Sequence, residues 1–136
     1  AKLALESKGM TANFIPGIAE ALPFANNSFD CVVTTFTLCS VQDPQAALSE
    51  AKRVLKPGGR LLFVEHGRAP DTDAATWQRR IEPVWKRIAG GCHLTRPVTQ
   101  AISDAGFVCN APQGHYMKRT PTWLGWVEWG EARLAD

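Results

Sequence analysis

The residues most suited to chemistry are Glu65 and His66, an adjacent carboxylate and imidazole at the end of an apolar run. An imidazole exchanges a proton near neutral pH, and a carboxylate beside it can hold it in one orientation. His66 is therefore a candidate catalytic base and Glu65 its support. The alternative is that the pair closes a strand and shapes the floor of a pocket.

Three other side chains are candidates for binding a substrate. Trp77 and Trp85 could cover an apolar molecule, because an aromatic face buries a large area at little entropic cost. Equally, they could be the core face of their own helix. Arg96 precedes Pro97 and could hold an anionic group, although an arginine at the start of a helix is common without one.

The spacing of the four cysteines does not predict a metal site. Cys92 and His93 follow a Gly-Gly pair and could approach Cys39, but the spacing typical of metal ligands is absent, so no metal is predicted. Two of the four cysteines fall in predicted strands, where cysteine behaves as a small buried hydrophobe. We expect reduced thiols in a cytoplasmic protein.

Composition limits the possible functions. The 136 residues are 45% apolar and 21% charged, which is typical of one globular domain. The net charge of +2 is spread along the chain without a basic block, which argues against a nucleic-acid partner. Apolar runs such as residues 61–64 are far shorter than the roughly 20 residues that span a bilayer, so we expect a soluble chain without a membrane span.

The first half of the chain predicts strands separated by a helix. Residues 1–8 are helix formers that end at a glycine, and residues 13–16 and 29–36 are strand candidates. Asp43 and Pro44 then open a helix with apolar residues at helical spacing, and a Lys-Pro-Gly-Gly turn leads into a buried strand at 60–65. A strand, a helix and a strand in this order favour a parallel crossover.

The second half predicts two helices and two strands. Trp77, Ile81, Trp85 and Ile88 lie on one helical face, with a kink or restart near Pro83. A third helix is expected from residue 95 to 105 and a strand over 107–111. Residues 123–134 are predicted as a last strand, on which Trp123 and Trp129 would pack against helices.

Loops at one edge of such a sheet are where a ligand is expected. The carboxyl ends of parallel strands collect ligands, because helix N-termini and free backbone amides meet there. Residues 17–20, 36–40 and 65–68 each follow a predicted strand. We therefore expect a small-molecule site where these three segments meet.

Three motifs follow one another in the first half of the chain: Ala19-Glu20-Ala21-Leu22-Pro23-Phe24, Asn27-Ser28-Phe29-Asp30 and Arg53-Val54-Leu55-Lys56-Pro57-Gly58-Gly59-Arg60-Leu61. In order and spacing they resemble the class I S-adenosylmethionine-dependent methyltransferases of the ubiquinone and menaquinone biosynthesis type. A second set is similar to a subgroup that includes thiol methyltransferase-like proteins. It comprises Leu38-Cys39-Ser40-Val41-Gln42, Glu65-His66, Trp77-Gln78, Pro83-Val84-Trp85-Lys86 and Gly91-Cys92-His93-Leu94-Thr95-Arg96.

This resemblance implies an α/β fold with a three-layer, Rossmann-like sheet of seven strands, mostly parallel with an antiparallel last strand. It implies S-adenosylmethionine as the cofactor and a small acceptor such as a quinone precursor, a lipid headgroup or a thiol. The implied cofactor contacts are Ile18, Ala19 and Glu20 near the adenine, and Thr35, Phe36, Thr37 and Leu38 near the methionine end. Many relatives have an acidic residue where this chain has Ile18, so a carboxylate contact would have to come from Glu20.

The family's glycine-rich cofactor loop and its acidic ribose-binding residue are not found in this sequence. Gly58-Gly59 precedes a strand, whereas a cofactor-cradling loop follows a strand and opens a helix. We therefore expect residues 1–136 to form a single partial methyltransferase domain, the carboxyl-terminal portion, in which the first two strands of the sheet are absent. The cofactor would bind if the missing motif were supplied.

Loss of those strands would leave the strand at 29–36 with an open edge, which invites pairing with another chain. We expect a homodimer or a complementing chain to cover it. The functional alternatives are accordingly a methyltransferase and an inactive, truncated methyltransferase that serves as an oligomeric or partner-binding module. A nicotinamide-dependent oxidoreductase ranks lower, because no G-x-G-x-x-G follows a strand.

Overall fold

A parallel strand-helix-strand unit forms the centre of the fold in the computed structural model, which describes Gly9 and residues 11–135. Strand β1 (Phe29–Thr35) leads to helix α1 (Pro44–Val54), which returns the chain to strand β2 (Leu55–His66) beside β1. The helix predicted over residues 1–8 lies outside the described residues. The predicted parallel crossover is confirmed.

Helix α1 starts and packs as its sequence predicts. The Asp43 carboxylate accepts hydrogen bonds from the amides of Gln45 and Ala46 at 2.9 and 3.0 Å, and Pro44 occupies the first turn. These bonds satisfy amides that a helix start leaves unpaired. The residues on its buried face are Ala47, Leu48, Ala51 and Val54.

The Lys-Pro-Gly-Gly sequence lies inside β2 instead of forming a separate turn before it. Leu55 pairs with Phe29 of β1, and the next paired residues are Arg60 and Cys31, so residues 56–59 bulge out of the ladder. Gly58 has φ of +75°, a conformation that side chains disfavour. The glycine pair therefore shapes a bulge at the start of the strand.

The second half adds two helices, a strand, a short helix and a last strand. They are α2 (Thr72–Ile88), α3 (Val98–Asp104), β3 (Phe107–Tyr116), α4 (Thr122–Gly125) and β4 (Trp126–Leu134). Pro83 lies inside α2, which runs through it without a break. Both α3 and β3 differ from the predicted bounds, since α3 begins three residues later and β3 is longer.

The sheet has the order β1-β2-β4-β3. Strand β4 is antiparallel to both β2 and β3, so β1, β2 and β3 all run in one direction. The α/β fold predicted from the resemblance, mostly parallel with an antiparallel last strand, is confirmed.

Two predicted strand assignments are wrong. Residues 11–17 form no strand, and Phe14 is 59% exposed. A strand exists only with a hydrogen-bonded neighbour, and no strand in the described part of the chain lies beside this segment. Trp123 belongs to α4, after Pro121, so it does not alternate with Trp129 on the last strand.

Helices α1 and α3 cover one face of the sheet. Leu48 of α1 and Ile102 of α3 pack with Leu61 and Phe63 of β2, and all four are fully buried or nearly so. On the opposite face Val33 is 64% exposed. Strand β1 pairs only with β2 among the described strands, so its expected open edge is present. None of the helices between Gly9 and residue 135 has the length and apolar character needed to cross a membrane.

Candidate functional site

Glu65 fixes the loop that leaves β1. It is fully buried near the end of β2, and its two carboxylate oxygens accept hydrogen bonds from the amides of Thr37 at 3.1 Å and Cys39 at 3.3 Å. Neighbouring residues of a strand point to opposite faces, so Glu65 and His66 diverge. Glu65 thus acts directly on residues 37–39.

Arg96 holds the same loop from the other side. Its Nη1 donates to the carbonyl oxygens of Leu38 and Val41, both at 2.7 Å. Bonds from a charged donor are stronger than neutral ones, and these two join the start of α3 to the loop after β1. The structure therefore places the predicted substrate-binding Arg96 against backbone carbonyls.

His66 ends β2 on the side away from Glu65. Its ring lies against Phe36, with ring centroids 4.8 Å apart, and its Nδ1 lies 3.7 Å from Cys92 Sγ. Its Nε2 is buried and has no hydrogen-bond partner within the described part of the chain. Phe36 itself has φ of +50°, a strained conformation of the kind that recurs at functional sites.

Two thiols meet beside this imidazole. Cys39 and Cys92 are both buried, and the amide of His93 donates to the carbonyl oxygen of Cys39 at 2.7 Å. The Cys92 thiol and burial raise the pKa of Cys39, whereas the hydrogen bond with Cys39 lowers the pKa of Cys92 to about 7. His93, which the sequence placed near these thiols, instead pairs with Glu82 at 3.2 Å.

The first predicted cofactor segment, residues 18–20, forms a tight turn next to α1. Ile18 is 63% exposed, and Ala19 packs against the core. Glu20 Oε1 accepts from the amides of Gln42 and Asp43 at 3.0 and 3.3 Å. Hydrogen bonds from its own amide, from Asp43 and from Gln42 lower the pKa of Glu20.

The two predicted cofactor segments border one cavity. It has a volume of about 200 Å³, lies along the open edge of β1, and is lined by Ala19, Thr34, Thr37 and Leu38 among others. The Thr34 hydroxyl there is buried without a partner among the described residues. Thr35 ends β1 beside it, and its carbonyl oxygen accepts from the Thr37 hydroxyl at 3.1 Å. The residues present therefore fit one wall of a cofactor site.

The two predicted substrate-binding tryptophans, Trp77 and Trp85, lie in different surroundings. Trp85 packs edge-on against Trp123, with centroids 5.7 Å apart, in the small cluster that holds Cys39 and Cys92. Trp77 faces solvent, with the Arg80 guanidinium 5.6 Å from its ring centre. Trp85 thus lies near His66, and Trp77 does not belong to this cluster.

Sequence reasoning considered that Cys92 could approach Cys39 but predicted no metal there, and it missed that His66 meets both thiols. Cys39 follows β1, His66 ends β2 and Cys92 follows α2, so the fold alone brings them together. The signals in the sequence are that Cys39 and His66 each follow a predicted strand and that Cys92 follows a Gly-Gly pair.

Comparison with known proteins agrees with the fold. The methyltransferase domain family model matches residues 1–63. Thiol S-methyltransferase TMT1B of Rattus norvegicus is 52% identical over 84 residues, which are 61% of this chain and 34% of that protein. A solved S-adenosylmethionine-dependent methyltransferase of Methanosarcina mazei superposes with a TM-score of 0.71 at 22% identity, covering 100% of this chain and 76% of that one.

The predicted resemblance to class I S-adenosylmethionine-dependent methyltransferases is confirmed. A further relative is the ubiquinone/menaquinone biosynthesis C-methyltransferase UbiE of Hahella chejuensis, 52% identical over 60 residues, or 44% of this chain and 24% of that protein. The chain thus spans about a third of the length of the rat relative and a quarter of the UbiE relative.

Proposed function

We propose that this methyltransferase chain takes part in S-adenosylmethionine-dependent methyl transfer to a small acceptor, and that the acceptor is a thiol. The observation that carries the proposal is the cavity lined by Ala19, Thr34, Thr37 and Leu38, with His66 on the adjoining strand. The choice of a thiol rests on the printed activity of the TMT1B relative. The UbiE relative supports a quinone precursor as the rival acceptor.

Cofactor contacts are assigned to two segments. Residues Ile18, Ala19 and Glu20 would border the adenine, and Thr35, Phe36, Thr37 and Leu38 would follow the methionine end. Because the Glu20 carboxylate already accepts two amides, its contribution would be to hold the turn so that the backbone of Ile18 and Ala19 faces the cofactor. S-adenosylmethionine, when bound, supplies the methyl group as part of a sulfonium.

Acceptor activation is assigned to His66. Its Nε2 is buried and unpartnered in the described part of the chain, as a group that awaits a ligand proton would be. Glu65 is a positioning residue, since it holds the loop of Phe36 and Thr37 against which His66 lies. Trp85 would form the far wall of the acceptor site. Trp77 and Arg96, the other substrate-binding candidates, would act at its margin.

One observation favours a second function, a non-catalytic module that works through self-association or a partner. Strand β1 has an unpaired edge among the described strands, and such edges pair readily with other chains. A homodimer or a complementing chain would cover this edge. Sedimentation showing only monomer at high concentration would contradict self-association and leave a different partner chain as the form of the module.

The two functions are separated by a direct assay. The chain is incubated with methyl-labelled S-adenosylmethionine and a small aryl thiol, and the methylated thiol is measured. We expect product from wild type, a loss of about 100-fold or more with His66→Ala, and full activity with Cys109→Ser, which lies on β3. Absence of product from folded wild type would contradict the enzymatic proposal.

A further inference from the structure

Three metal-binding side chains meet at the carboxyl end of β2. One ligand atom from each of Cys39, His66 and Cys92 can be chosen so that all three lie within 4.8 Å of one another. The separation of 3.7 Å between Cys92 Sγ and His66 Nδ1 is close to the edge of a tetrahedron whose centre is about 2.0–2.3 Å from each ligand. The side chains therefore already lie near the positions that a small cation requires.

The backbone around the cluster is fixed from two sides. The Cys39 amide donates to the buried carboxylate of Glu65, and the Cys39 carbonyl oxygen accepts from the amide of His93, next to Cys92. Gly91 gives the close approach needed here, since a Cβ on it would lie 3.2 Å from the Ser40 carbonyl oxygen. Outer contacts of this kind commonly hold metal ligands in place.

The donor set selects the type of ion. Two sulfurs and one imidazole nitrogen suit a soft or borderline cation, whereas Mg²⁺ and Ca²⁺ require oxygen ligands. Two cysteines and one histidine, with a fourth position open, are one of the ligand sets of catalytic zinc. A simple disulfide between the cysteines would leave both nitrogens of His66 without a partner among the described residues.

We propose that Cys39, His66 and Cys92 bind one Zn²⁺ ion and leave its fourth position for water or an exogenous ligand. Both cysteines bind as thiolates and release their protons on metal binding, and His66 binds through Nδ1. The ion would lie at the end of β2 between the loop after β1 and the turn after α2.

The zinc site deepens the proposed function. Binding of the ion does not depend on that function, whereas its chemical consequence rests on it. A thiol acceptor that replaces the water would form a sulfur–zinc bond and lose its S–H proton to solvent. His66 would then activate the acceptor as a ligand instead of as a free base. Zinc binding itself is tested below without methyl transfer, so failure of one proposal is distinguishable from failure of the other.

The test is metal titration of the reduced 136-residue chain. Binding of Zn²⁺ is followed by calorimetry, and Co²⁺ is used as a spectroscopic probe because thiolate ligands give it charge-transfer absorption. We expect one ion per chain. Cys39→Ser, Cys92→Ser and His66→Ala should each weaken binding by more than about 100-fold, which exceeds the usual effect of losing an outer contact.

Cys31→Ser and Cys109→Ser are the matched controls, since both remove a free thiol outside the cluster. They should bind Zn²⁺ like wild type. Circular dichroism establishes that each variant is folded, and Zn²⁺ should raise the thermal midpoint of wild type and of both controls only. If folded wild type binds no Zn²⁺ when reduced, or if Cys92→Ser binds as tightly as wild type, the proposal is overturned.

Discussion

On one face of the sheet, Leu61 and Phe63 are covered completely by helices, whereas on the other face Val33 and Val64 remain in contact with solvent. These residues alternate along the same two strands, so the difference comes from what packs above them and not from the strands. Stability is therefore expected to depend on one face. The site is formed where these strands end, and the loop after β1 is held there by hydrogen bonds with Glu65 and Arg96.

The largest expected difference is between Phe63 and its neighbour Val64. Phe63→Ala should lower the free energy of unfolding by about 3–5 kcal/mol, since it leaves a cavity under α1 and α3. Val64→Ala, on the other face, where the residue is 37% exposed, should cost less than about 1 kcal/mol. Urea unfolding measures both. Equal losses would show that the exposed face is covered in solution, and the comparison between the faces would fail.

A smaller loss of stability is expected on replacing Glu65, which holds the loop after β1. Glu65→Ala removes the acceptor of two amides and should lower the free energy of unfolding by roughly 3 kcal/mol. Glu131→Ala is the control, because Glu131 makes only exposed ion pairs with Arg60 and Arg133 and should change stability by under about 1 kcal/mol.

Hydrogen exchange locates the effect of this substitution. The amides of Thr37 and Cys39 should exchange faster in Glu65→Ala than in Glu131→Ala. Unchanged protection of both amides would mean that the hydrogen bonds to Glu65 do not hold the loop after β1.

The smallest effect concerns the segment beside the open edge of β1. Arg53 donates to the carbonyl oxygens of Leu22 and Phe24, and Glu50 accepts from the Leu22 amide at 2.8 Å. The hydrogen bond from Arg53 and the one from Leu22 lower the pKa of Glu50 from 4.5 to about 2. The stabilisation from Glu50 is thus fully present above about pH 4.5 and is lost as the pH falls towards 2.

A carboxyl titration followed by NMR checks this pKa. The Glu50 midpoint should lie near 2 in wild type and move upwards in Arg53→Gln. Arg133→Gln, which removes a cation elsewhere, should leave it in place. An ordinary midpoint in wild type would show that the segment is not held to α1.

Local sequence signals predict a helix well where its cap and its apolar face lie within the same segment. Helix α1 is an example, because its cap at Asp43 and its buried residues Leu48 and Val54 can all be identified from the local sequence. The structure of residues 13–16 could not be predicted from local signals, since an apolar segment becomes a strand only beside another strand. The mix of residues over 123–134 predicts a last strand that includes Trp123, whereas a short helix starts there after Pro121.

The sequence predicts where the candidate site lies but not which contacts its side chains make. The carboxyl ends of β1 and β2 could be located from the order of elements, which put His66 and residues 35–38 together. Contacts of Glu65 with Thr37 and of Arg96 with Leu38 depend on side-chain directions that spacing does not give. The meeting of Cys39 and Cys92 depends on how α2 and its following turn pack, which lies beyond local patterns.

The central claim, that the end of this sheet is a cofactor and acceptor site, is tested most directly by calorimetric titration of the chain with S-adenosylmethionine. We expect saturable binding to a single site with micromolar affinity, with a second copy of the chain taking the place of the glycine-rich loop that this sequence lacks. Binding should weaken when Leu38→Arg fills the cavity beside β1. No detectable binding by the folded chain would contradict the claim and favour the non-catalytic module.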